Sequence, residues 1–485
     1  MLKVNRDDER PIWQQLLAQA IYNITTGKWP PGELLLPSRE LAQLIGVSRS
    51  TIQTVYEELF SRGYTVTSRR GGTRVSEWIY KPGSADEVPA QGPVLPEMPL
   101  LNDAISHLHN WFGDKGNGKD EIDFTPHEPY VDEHLLKNWR HSFLQASTET
   151  DLDNWAYGDA YGFLPLREQI QRYLSLERGI HVEIDQILMT SGAQHSLDLI
   201  AQALLHEGAT VSVEDPGFPA AWMAMKIRRM QVDPVPVDEY GLCVDRIHPE
   251  SKLVFVTPSH QCAVGVIMSE PRRQQLLHMA AEKRFWIIED DYDSEFRWGG
   301  RPIEPLKVLD REQRVIYVGS FSQTMVASFR LGYAVLPPGL VEPLLAAKAL
   351  YEPVPPALLE QRALAKFMTR GGYLRHLRRL TRLYGERHDF FVREMELQLP
   401  EAFKMQLDDA GLHIYATWNG DVDSYQRFKK LAEEDGILFR DAERYRLTSG
   451  HPAACFAFAH LEKEEMTEGI RRMRLAWEKC TFSFR

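Results

Sequence analysis

LPSRELAQLIGVSRSTIQTVYEELFSRGY, residues 36–64, predicts two short helices joined by a tight turn. Ser38 and Ser48 are hydroxyl residues that favour helix N-caps, and apolar residues at helical spacing follow each of them. Gly46 lies between the two runs and permits the turn. A small turn residue before a capped second helix is typical of a helix-turn-helix, whose second helix brings its N-terminal residues to base edges.

The second helix is expected to expose a polar face at its N-terminal end. Arg49 can fork onto a guanine, while Gln53 and the hydroxyl groups can reach other base edges or phosphates. The predicted DNA contacts in these two helices are Ser38, Arg39, Ser48, Arg49, Ser50, Thr51, Gln53 and Thr54. The alternative interpretation is a small helical dimerisation module whose arginines are simply solvated.

The flanking segments complete a small domain. Residues 11–29 space apolar side chains at helical intervals and predict a helix that packs on the other two. Residues 64–75 alternate like a two-stranded hairpin with Gly71 and Gly72 at its tip. Arg69, Arg70 and Arg74 cluster near that tip, so we expect a wing that contacts phosphate or the minor groove.

The order of these motifs, over residues 11–75, resembles the winged helix of the GntR regulator family. The resemblance rests on PSRELAQLIGVSRSTIQTVYEELFSRGY and on the closing GGTRV. It implies that double-stranded DNA is a partner.

Length, charge and cysteine usage limit the class of protein. The 485 residues call for at least two domains, and 43% hydrophobic content is ample for packed cores. The net charge is −12, but residues 1–80 hold 10 Lys or Arg against 8 Asp or Glu, so the remainder carries −14. Four cysteines without a CxxC pair argue against a disulfide framework and a zinc site. No apolar run approaches the roughly 20 residues of a membrane span, so we expect a soluble, cytoplasmic protein without a membrane partner.

Composition divides the chain into two domains and a linker. We expect a DNA-binding domain over residues 1–80, a Pro- and Gly-rich linker over 81–121, and a large effector-binding and dimerisation domain over 122–485. In the large domain, apolar β-branched runs alternate with helical stretches, which predicts an α/β fold with a mainly parallel sheet and flanking helices. The predicted strands are 187–190, 210–213, 252–257, 285–289, 315–318 and 332–336. A small C-terminal α+β lobe is expected from helices 373–398, 423–434 and 464–477 and strands 413–417 and 455–460.

Two turns after predicted strands can bind a phosphate. The turn at residues 191–194 leads into a helix, whose free backbone N–H groups attract anions. A second turn supplies Ser320, Ser322 and Arg330, and the arginine can bind phosphate through two hydrogen bonds. The first turn alone is weak evidence, since glycine in many strand–helix turns only bends the chain. The residues of the first turn are Ser191, Gly192, Ala193 and Gln194.

Three other strand ends carry side chains suited to an aromatic ring. Asp290 can pair with a protonated ring nitrogen, and Tyr292 can bond a ring hydroxyl. Phe218 can lie flat on the ring, and His260 or Gln261 can touch its edge. The alternative for Asp290 is an acidic turn that caps a helix.

These motifs, in this order, resemble a fold-type-I aminotransferase, the class that binds pyridoxal 5'-phosphate. With the winged helix ahead of them, the chain is similar to the MocR/GabR group of GntR regulators. The resemblance implies a DNA-binding transcriptional regulator that senses a small-molecule effector. Tyr157, Gly158 and Asp159 resemble an element that places a tyrosine in the partner subunit's site, so a head-to-tail homodimer is implied.

The chain departs from the aminotransferase pattern at three places. Gln323 stands where the Schiff-base lysine is expected, and an amide cannot bond to the cofactor aldehyde. Cys455 stands where an arginine normally clamps the substrate carboxylate, and the proline expected after Gln261 is absent. Three departures together favour natural divergence over a single engineered change. We therefore expect no transamination and no catalytic residue, with pyridoxal phosphate or another effector bound only non-covalently. The open alternatives are an active aminotransferase with a DNA-binding arm and a ligand-free dimerisation scaffold.

Overall fold

The computed structural model describes residues 2–6, 8, 10–68, 72–77, 121–125, 129–148, 159–300 and 303–482. Contacts between residues divide the chain into two units, Met1–Glu97 and Met98–Arg485. In the first unit the described elements are α1 (Ile12–Thr25), α2 (Ser38–Ile45), α3 (Arg49–Ser61), β1 (Thr65–Ser68) and β2 (Gly72–Val75). The predicted helix-turn-helix and hairpin are both confirmed.

The core of the first unit forms where α1 and α2 pack on α3. Leu16, Ile52, Val55 and Leu59 are completely buried there, and burying one such side chain stabilises the fold by about 1.5–3 kcal/mol. Gly46 adopts φ 78° at the end of α2, as the turn requires.

Two local expectations for the first unit are wrong. Ser38 is the first residue of α2 rather than its cap, because Pro37 occupies the N-cap position and no side chain caps this helix. The first helix ends at Thr25 instead of continuing to Trp29, since a turn at Thr26 and Gly27 bonds back to the last carbonyl groups.

An eight-stranded sheet forms the centre of the second unit, in the order β4-β11-β10-β9-β8-β5-β6-β7. The strands β5, β6, β8, β9 and β10 pair in parallel, whereas β11 pairs antiparallel with both β4 and β10, and β7 pairs antiparallel with β6. The mainly parallel sheet is therefore confirmed. The bounds are β4 Ile187–Thr190, β5 Thr210–Asp215, β6 Gln231–Asp238, β7 Gly241–Leu242, β8 Leu253–Val256, β9 Trp286–Asp291, β10 Val315–Ser320 and β11 Gly332–Val335.

Helices cover both faces of this sheet, which explains its continuous apolar strands. On β9, Ile288 joins the core beneath α6 and α7, while its neighbour Ile287 joins the core beneath α8 on the opposite face. The helices are α4 (Glu133–Ser147), α5 (Leu164–Tyr173), α6 (Ala193–Leu204), α7 (Pro219–Ile227), α8 (Glu270–Lys283), α9 (Leu306–Leu309), α10 (Val341–Ala349) and α11 (Leu358–Thr369).

The C-terminal lobe is built on a four-stranded antiparallel sheet in the order β12-β13-β16-β15. A two-stranded parallel pair, β14 with β3, adds the start of the second unit to this lobe. The bounds are β3 Ile122–Asp123, α12 Gly372–Gln398, β12 Phe403–Met405, β13 His413–Trp418, α13 Val422–Glu434, β14 Ile437–Leu438, β15 Arg440–Asp441, β16 Ala453–Ala457 and α14 Lys463–Phe482. The strand expected over residues 455–460 is shifted, since β16 ends at Ala457.

Parallel strands deliver their C-terminal loops to one edge of a sheet, where ligands bind in open α/β folds. β4 also points to that edge, because it and β10 both pair antiparallel with β11. The C-terminal ends of β4, β5, β8, β9 and β10, together with the segments that follow them, carry every cleft residue predicted from the sequence except Tyr157. None of the described helices is long and apolar enough to cross a membrane.

Candidate functional site

The predicted DNA contacts cluster at the start of α3. The Ser48 side chain caps this helix by accepting a hydrogen bond from the Thr51 backbone N–H at 3.1 Å. Its oxygen also lies 2.8 Å from the Ser50 hydroxyl. Arg49 and Gln53 are exposed and lie one turn apart. The cap thus orders the first turn and leaves two long polar side chains on the same face.

The remaining predicted DNA contacts are distributed unevenly. Thr54 is half-buried and donates its hydroxyl to the Ser50 carbonyl at 3.1 Å. At the start of α2, Arg39 is exposed and Ser38 is half-buried. Arg74 is exposed on β2 but donates to the Gly32 carbonyl at 3.0 Å, so part of its guanidinium is engaged inside the unit. Arg69 and Arg70 lie outside the described residues.

The residues predicted to form a phosphate cradle lie at the N-terminus of α6. Gly192 occupies the N-cap with φ 95°, a conformation that favours glycine, and no side chain caps the helix. Arg330 donates to the Ser191 carbonyl at 3.0 Å, which brings its guanidinium beside Gly192. The helix N-terminus and an exposed arginine therefore converge on one point, where both favour an anion.

Close backbone packing holds the two phosphate turns together. A Cβ at Gly332 would lie 2.7 Å from the Cα of Gly192 and 3.1 Å from the Gly319 carbonyl oxygen. Only glycine fits at this point between β4 and β10. Ser320 is the residue after Gly319, and its hydroxyl oxygen lies 3.0 Å from that of Ser322.

Two cradle side chains are partly engaged by the protein itself. Ser191 donates its hydroxyl to the Glu352 carboxylate at 2.7 Å, and its backbone N–H donates to His195 at 3.1 Å. Gln194 donates to the Ala220 carbonyl at 3.0 Å. The N–H groups of Gly192, Ala193 and Gln194 have no acceptor among the described residues, so the anion site predicted from the sequence is a backbone site.

Asp290 is a carboxylate whose burial and missing hydrogen-bond partner, among the described residues, suit a cationic ligand. It is the penultimate residue of β9 and is buried, with 4% of its surface exposed. Its Oδ1 has no hydrogen-bond partner among the described residues. Burial, with the charge of Asp291 beside it, raises the pKa of Asp290 to about 8. A buried carboxylate without a partner is costly, and a cationic ring nitrogen would relieve that cost.

His260, in the segment after β8, contacts two residues that follow β9. Its Nδ1 is 2.8 Å from the Asp293 carboxylate and 3.1 Å from the Tyr292 hydroxyl. Burial lowers the pKa of His260, but Asp293 more than offsets this effect, so the pKa is raised. Gly411 packs against the same ring, where a Cβ would lie 2.3 Å from His260. The predicted ring contacts His260 and Tyr292 are thus brought together.

The amide of Gln261 is engaged within the loops instead of pointing to a ligand. It donates to the Pro216 carbonyl at 2.7 Å and to the Glu214 carboxylate at 3.2 Å, and it accepts from the Val264 N–H. Its amide thus fixes the loop after β5, and its contact with a ring stays a prediction. Phe218, in that loop, is half-buried and its ring lies 6.4 Å from that of Phe255.

Comparison with known proteins bears on both units. Residues 14–75 match the family of bacterial regulatory proteins of the gntR family, and residues 119–473 match aminotransferase class I and II. The HTH-type transcriptional regulator YdeL of Bacillus subtilis is 30% identical over 98% of both chains. "Probable rhizopine catabolism regulatory protein MocR" of Rhizobium meliloti is also 30% identical, over 98% of this chain and 96% of its own. The chain is a MocR-type transcriptional regulator.

Solved structures agree with the fold of this MocR-type regulator. Pyrococcus horikoshii kynurenine aminotransferase, crystallised in complex with PMP, has a TM-score of 0.69 at 25% identity. The match covers 82% of this chain and 98% of that enzyme. The multiple substrate aminotransferase of Thermococcus profundus, at 24% identity and a TM-score of 0.68, shows the same fold.

The MocR-type regulator has the aminotransferase fold, and the structure describes both residues at which the sequence resemblance predicts departures from the catalytic pattern. Gln323 is half-buried in the turn after β10, and no hydrogen bond among the described residues involves its amide. Cys455 is fully buried on β16 and its Sγ lies 3.9 Å from the Ala263 carbonyl. Tyr157, expected from the resemblance to reach the partner subunit, lies outside the described residues.

Sequence reasoning missed the side chains that complete the cleft from distant segments. Asp293 pairs with His260, and the acidic run after β9 was a signal that could have identified it. Thr448 is different, because its backbone N–H donates to Asp215 at 3.1 Å from the C-terminal lobe. Glu352 likewise reaches Ser191 from a segment 161 residues away. Nothing local in the sequence predicts either contact.

Proposed function

We propose that the cleft of this DNA-binding regulator is a sensor site for a phosphorylated aromatic ring, such as pyridoxal 5'-phosphate, held without a covalent bond. The observation that carries the proposal is the unpartnered, buried Oδ1 of Asp290. It lies at the same sheet edge as the Gly192 cradle and Arg330. A cationic ring nitrogen and an anionic phosphate on one ligand fit these two features together.

The residues present fit such a ligand in a definite arrangement. The backbone N–H groups of α6 would bind the phosphate together with the Ser320 and Ser322 hydroxyls and Arg330. Phe218 would cover one face of the ring, with Tyr292 and His260 at its hydroxyl edge. When bound in an enzyme, a pyridoxal ring withdraws electrons from an amino acid joined to its aldehyde.

Gln323 supports sensing in place of catalysis. Its amide nitrogen is not nucleophilic, and it is not the base that transamination needs to move the α-proton. Cys455 replaces the carboxylate clamp, so an amino-acid substrate also loses its usual anchor. We infer that the regulator has no transaminase activity.

The output of the sensor is a change in DNA binding. We infer a head-to-tail homodimer in which each cleft receives Tyr157 of the other chain. Ligand binding would then alter how two winged helices are presented to two half-sites, which couples the two ligands energetically.

Ligand binding is tested by thermal denaturation with pyridoxal 5'-phosphate and pyridoxamine 5'-phosphate. A ligand at a hundredfold its Kd stabilises the native state by about 2.7 kcal/mol. Asp290→Asn should lose most of this stabilisation, while Asp423→Asn, an exposed carboxylate on α13, should keep it. Absence of stabilisation by both compounds in the unmodified protein contradicts the proposal.

The non-covalent character is tested by borohydride reduction followed by mass spectrometry. The unmodified chain should show no stoichiometric pyridoxyl adduct, whereas Gln323→Lys should gain one at position 323. A stoichiometric adduct on the unmodified chain, or multiple turnovers of an amino donor, would revive the enzyme interpretation.

The DNA contacts are tested on duplex DNA from the region upstream of the gene. Arg49→Ala should weaken specific retention by about 1–3 kcal/mol, the range for a bidentate base contact. Arg62→Ala removes the same charge near the other end of α3, where Arg62 pairs with Glu58, and should have little effect. Equal losses for both variants would show that Arg49 contributes only charge.

A further inference from the structure

One stretch of the second unit is strongly basic although the chain as a whole is acidic. Residues 361–385 contain seven Lys or Arg and no Asp or Glu, in a chain of net charge −12. Arg362 is buried with 1% exposed surface, and the partly buried Arg379 donates to Asp132. Lys366 is half-buried, and the four remaining cations are exposed.

Four arginines of this stretch are exposed. Arg370 follows α11, and Arg375, Arg378 and Arg382 lie on the first turns of α12. The spacing of the last three, at i, i+3 and i+7, puts them in one row along the helix. They form a stripe of about 10 Å, given a rise of 1.5 Å per residue.

A neighbouring helix carries two further exposed cations. α4 packs against α11 and exposes Lys137 and Arg140, one turn apart. Side-chain contacts tie α4 to the basic stretch at both ends. Arg370 donates to Gln145 near its C-terminus, and Arg379 donates to Asp132 at its N-cap.

We call Lys137, Arg140, Arg375, Arg378 and Arg382 the basic face. Among the described residues, none of its five cations takes part in an ion pair, although ion pairs are common elsewhere on the surface of this unit. On α14, for example, Arg471 and Arg472 both pair with Glu468. Like charges placed side by side repel one another, so the face is suited to a partner that supplies negative charge along its length.

We propose that the basic face is a second DNA-binding surface, which holds the phosphate backbone of duplex DNA without reading its sequence. Duplex DNA carries one phosphate per roughly 3.4 Å along each strand, so the stripe on α12 is long enough to span several phosphates. Flexible, exposed cations suit such non-specific contacts, which supply affinity and orientation. The inference does not depend on any ligand of the cleft.

The spread of the charges favours a polyanion over a small ion. Five cations on two helices are distributed along a surface, whereas a phosphate cradle concentrates donors on one point. A duplex already bound through the winged helix is the polyanion that this regulator meets. An acidic surface of a second copy is the competing partner, and the experiment separates the two.

The test compares two triple variants of the full chain with matched loss of charge. Arg140→Gln, Arg378→Gln and Arg382→Gln together remove three cations of the basic face. Arg246→Gln, Arg311→Gln and Lys404→Gln remove three exposed cations outside the face. Affinity for a duplex of about 200 base pairs from the upstream region is measured over about 50–200 mM salt, the range in which phosphate contacts show most clearly.

The basic-face triple should lower the slope of log K against log salt by about 1 per arginine, about 3 in all, and weaken binding at least about tenfold at the higher salt. The matched triple should keep both quantities unchanged. An unchanged slope in the basic-face triple, or equal losses in the two triples, overturns the proposal.

Two further measurements keep the outcome clear. Thermal midpoints of the triples should match that of the unmodified chain, and a single Arg378→Lys variant should retain the slope because it retains the charge. A change in sedimentation coefficient without a change in slope assigns the face to contact between copies and overturns the proposal. If the unmodified chain binds no duplex at all, both the winged-helix contacts and the second DNA-binding surface are contradicted.

Discussion

The DNA-reading unit and the ligand cleft are built from contacts of very different reach. In the winged helix, Ser48 caps α3 through a residue three positions away, and the Tyr56 hydroxyl donates to the Leu36 carbonyl only 20 positions away. In the cleft, Ser191 meets Glu352 across 161 positions, and Asp215 accepts from Thr448 across 233. Contacts between residues that are close in sequence therefore account for most of the first region, whereas the arrangement of the cleft depends on the topology of the fold.

This difference predicts that the two regions lose stability independently. Leu59→Ala removes a fully buried side chain from the small core and should lower the free energy of unfolding of the first unit by about 2–5 kcal/mol. DNA retention should fall accordingly. Pyridoxal 5'-phosphate should still stabilise the second unit, as measured by calorimetry.

Phe60→Ala is the matched control for Leu59→Ala. Phe60 is the next residue along α3 and is 55% exposed, so its truncation should change stability by less than about 0.5 kcal/mol. Equal losses from the two variants would mean that the first unit has no core of its own. Loss of ligand stabilisation in Leu59→Ala would show that the units unfold together.

The cleft should make the folding stability of the second unit fall as pH rises, because it contains Asp290. Burial raises the pKa of Asp290 to about 8 in the folded chain, against an ordinary value of 3.8. Between these values the folded state holds a proton that the unfolded state has released. Stability is therefore fully present below pH 3.8 and is lost as pH rises through 8, at about 1.4 kcal/mol per pH unit.

Asp290→Asn removes this titration while preserving the shape of the side chain. Between about pH 5.5 and about pH 7, the variant should lose roughly 2 kcal/mol less than the unmodified protein in urea denaturation. Glu214, Glu289 and Glu295 also have pKa values raised to about 7 by burial, so the unmodified protein and the variant both keep a pH dependence from these groups. Parallel pH profiles would show that Asp290 is ionised in the folded chain.

Much of the fold was predictable because strands and helices are local patterns. Every strand predicted for the large sheet is present, and the motifs after β4, β9 and β10 meet at one edge because parallel strands require it. The sequence could not show that Gln261 is engaged by Glu214, since that contact depends on the separation of two loops. The reach of Glu352 to Ser191 depends in the same way on the packing of distant segments.

The smallest expected effect separates two serines that the sequence presents as equivalent. Ser48 accepts the Thr51 N–H, while Ser38 is already helical behind Pro37 and caps nothing. Ser48→Ala should cost about 1 kcal/mol of stability in the first unit. Ser38→Ala should leave it unchanged or raise it by a few tenths of a kcal/mol, since alanine is the better helix former. Urea denaturation monitored by far-ultraviolet circular dichroism measures both changes. An equal loss of stability in Ser38→Ala would show that Ser38 does cap α2. A proline can occupy the N-cap without any hydrogen-bonding side chain, so sequence rules that seek a hydroxyl there select the neighbouring residue.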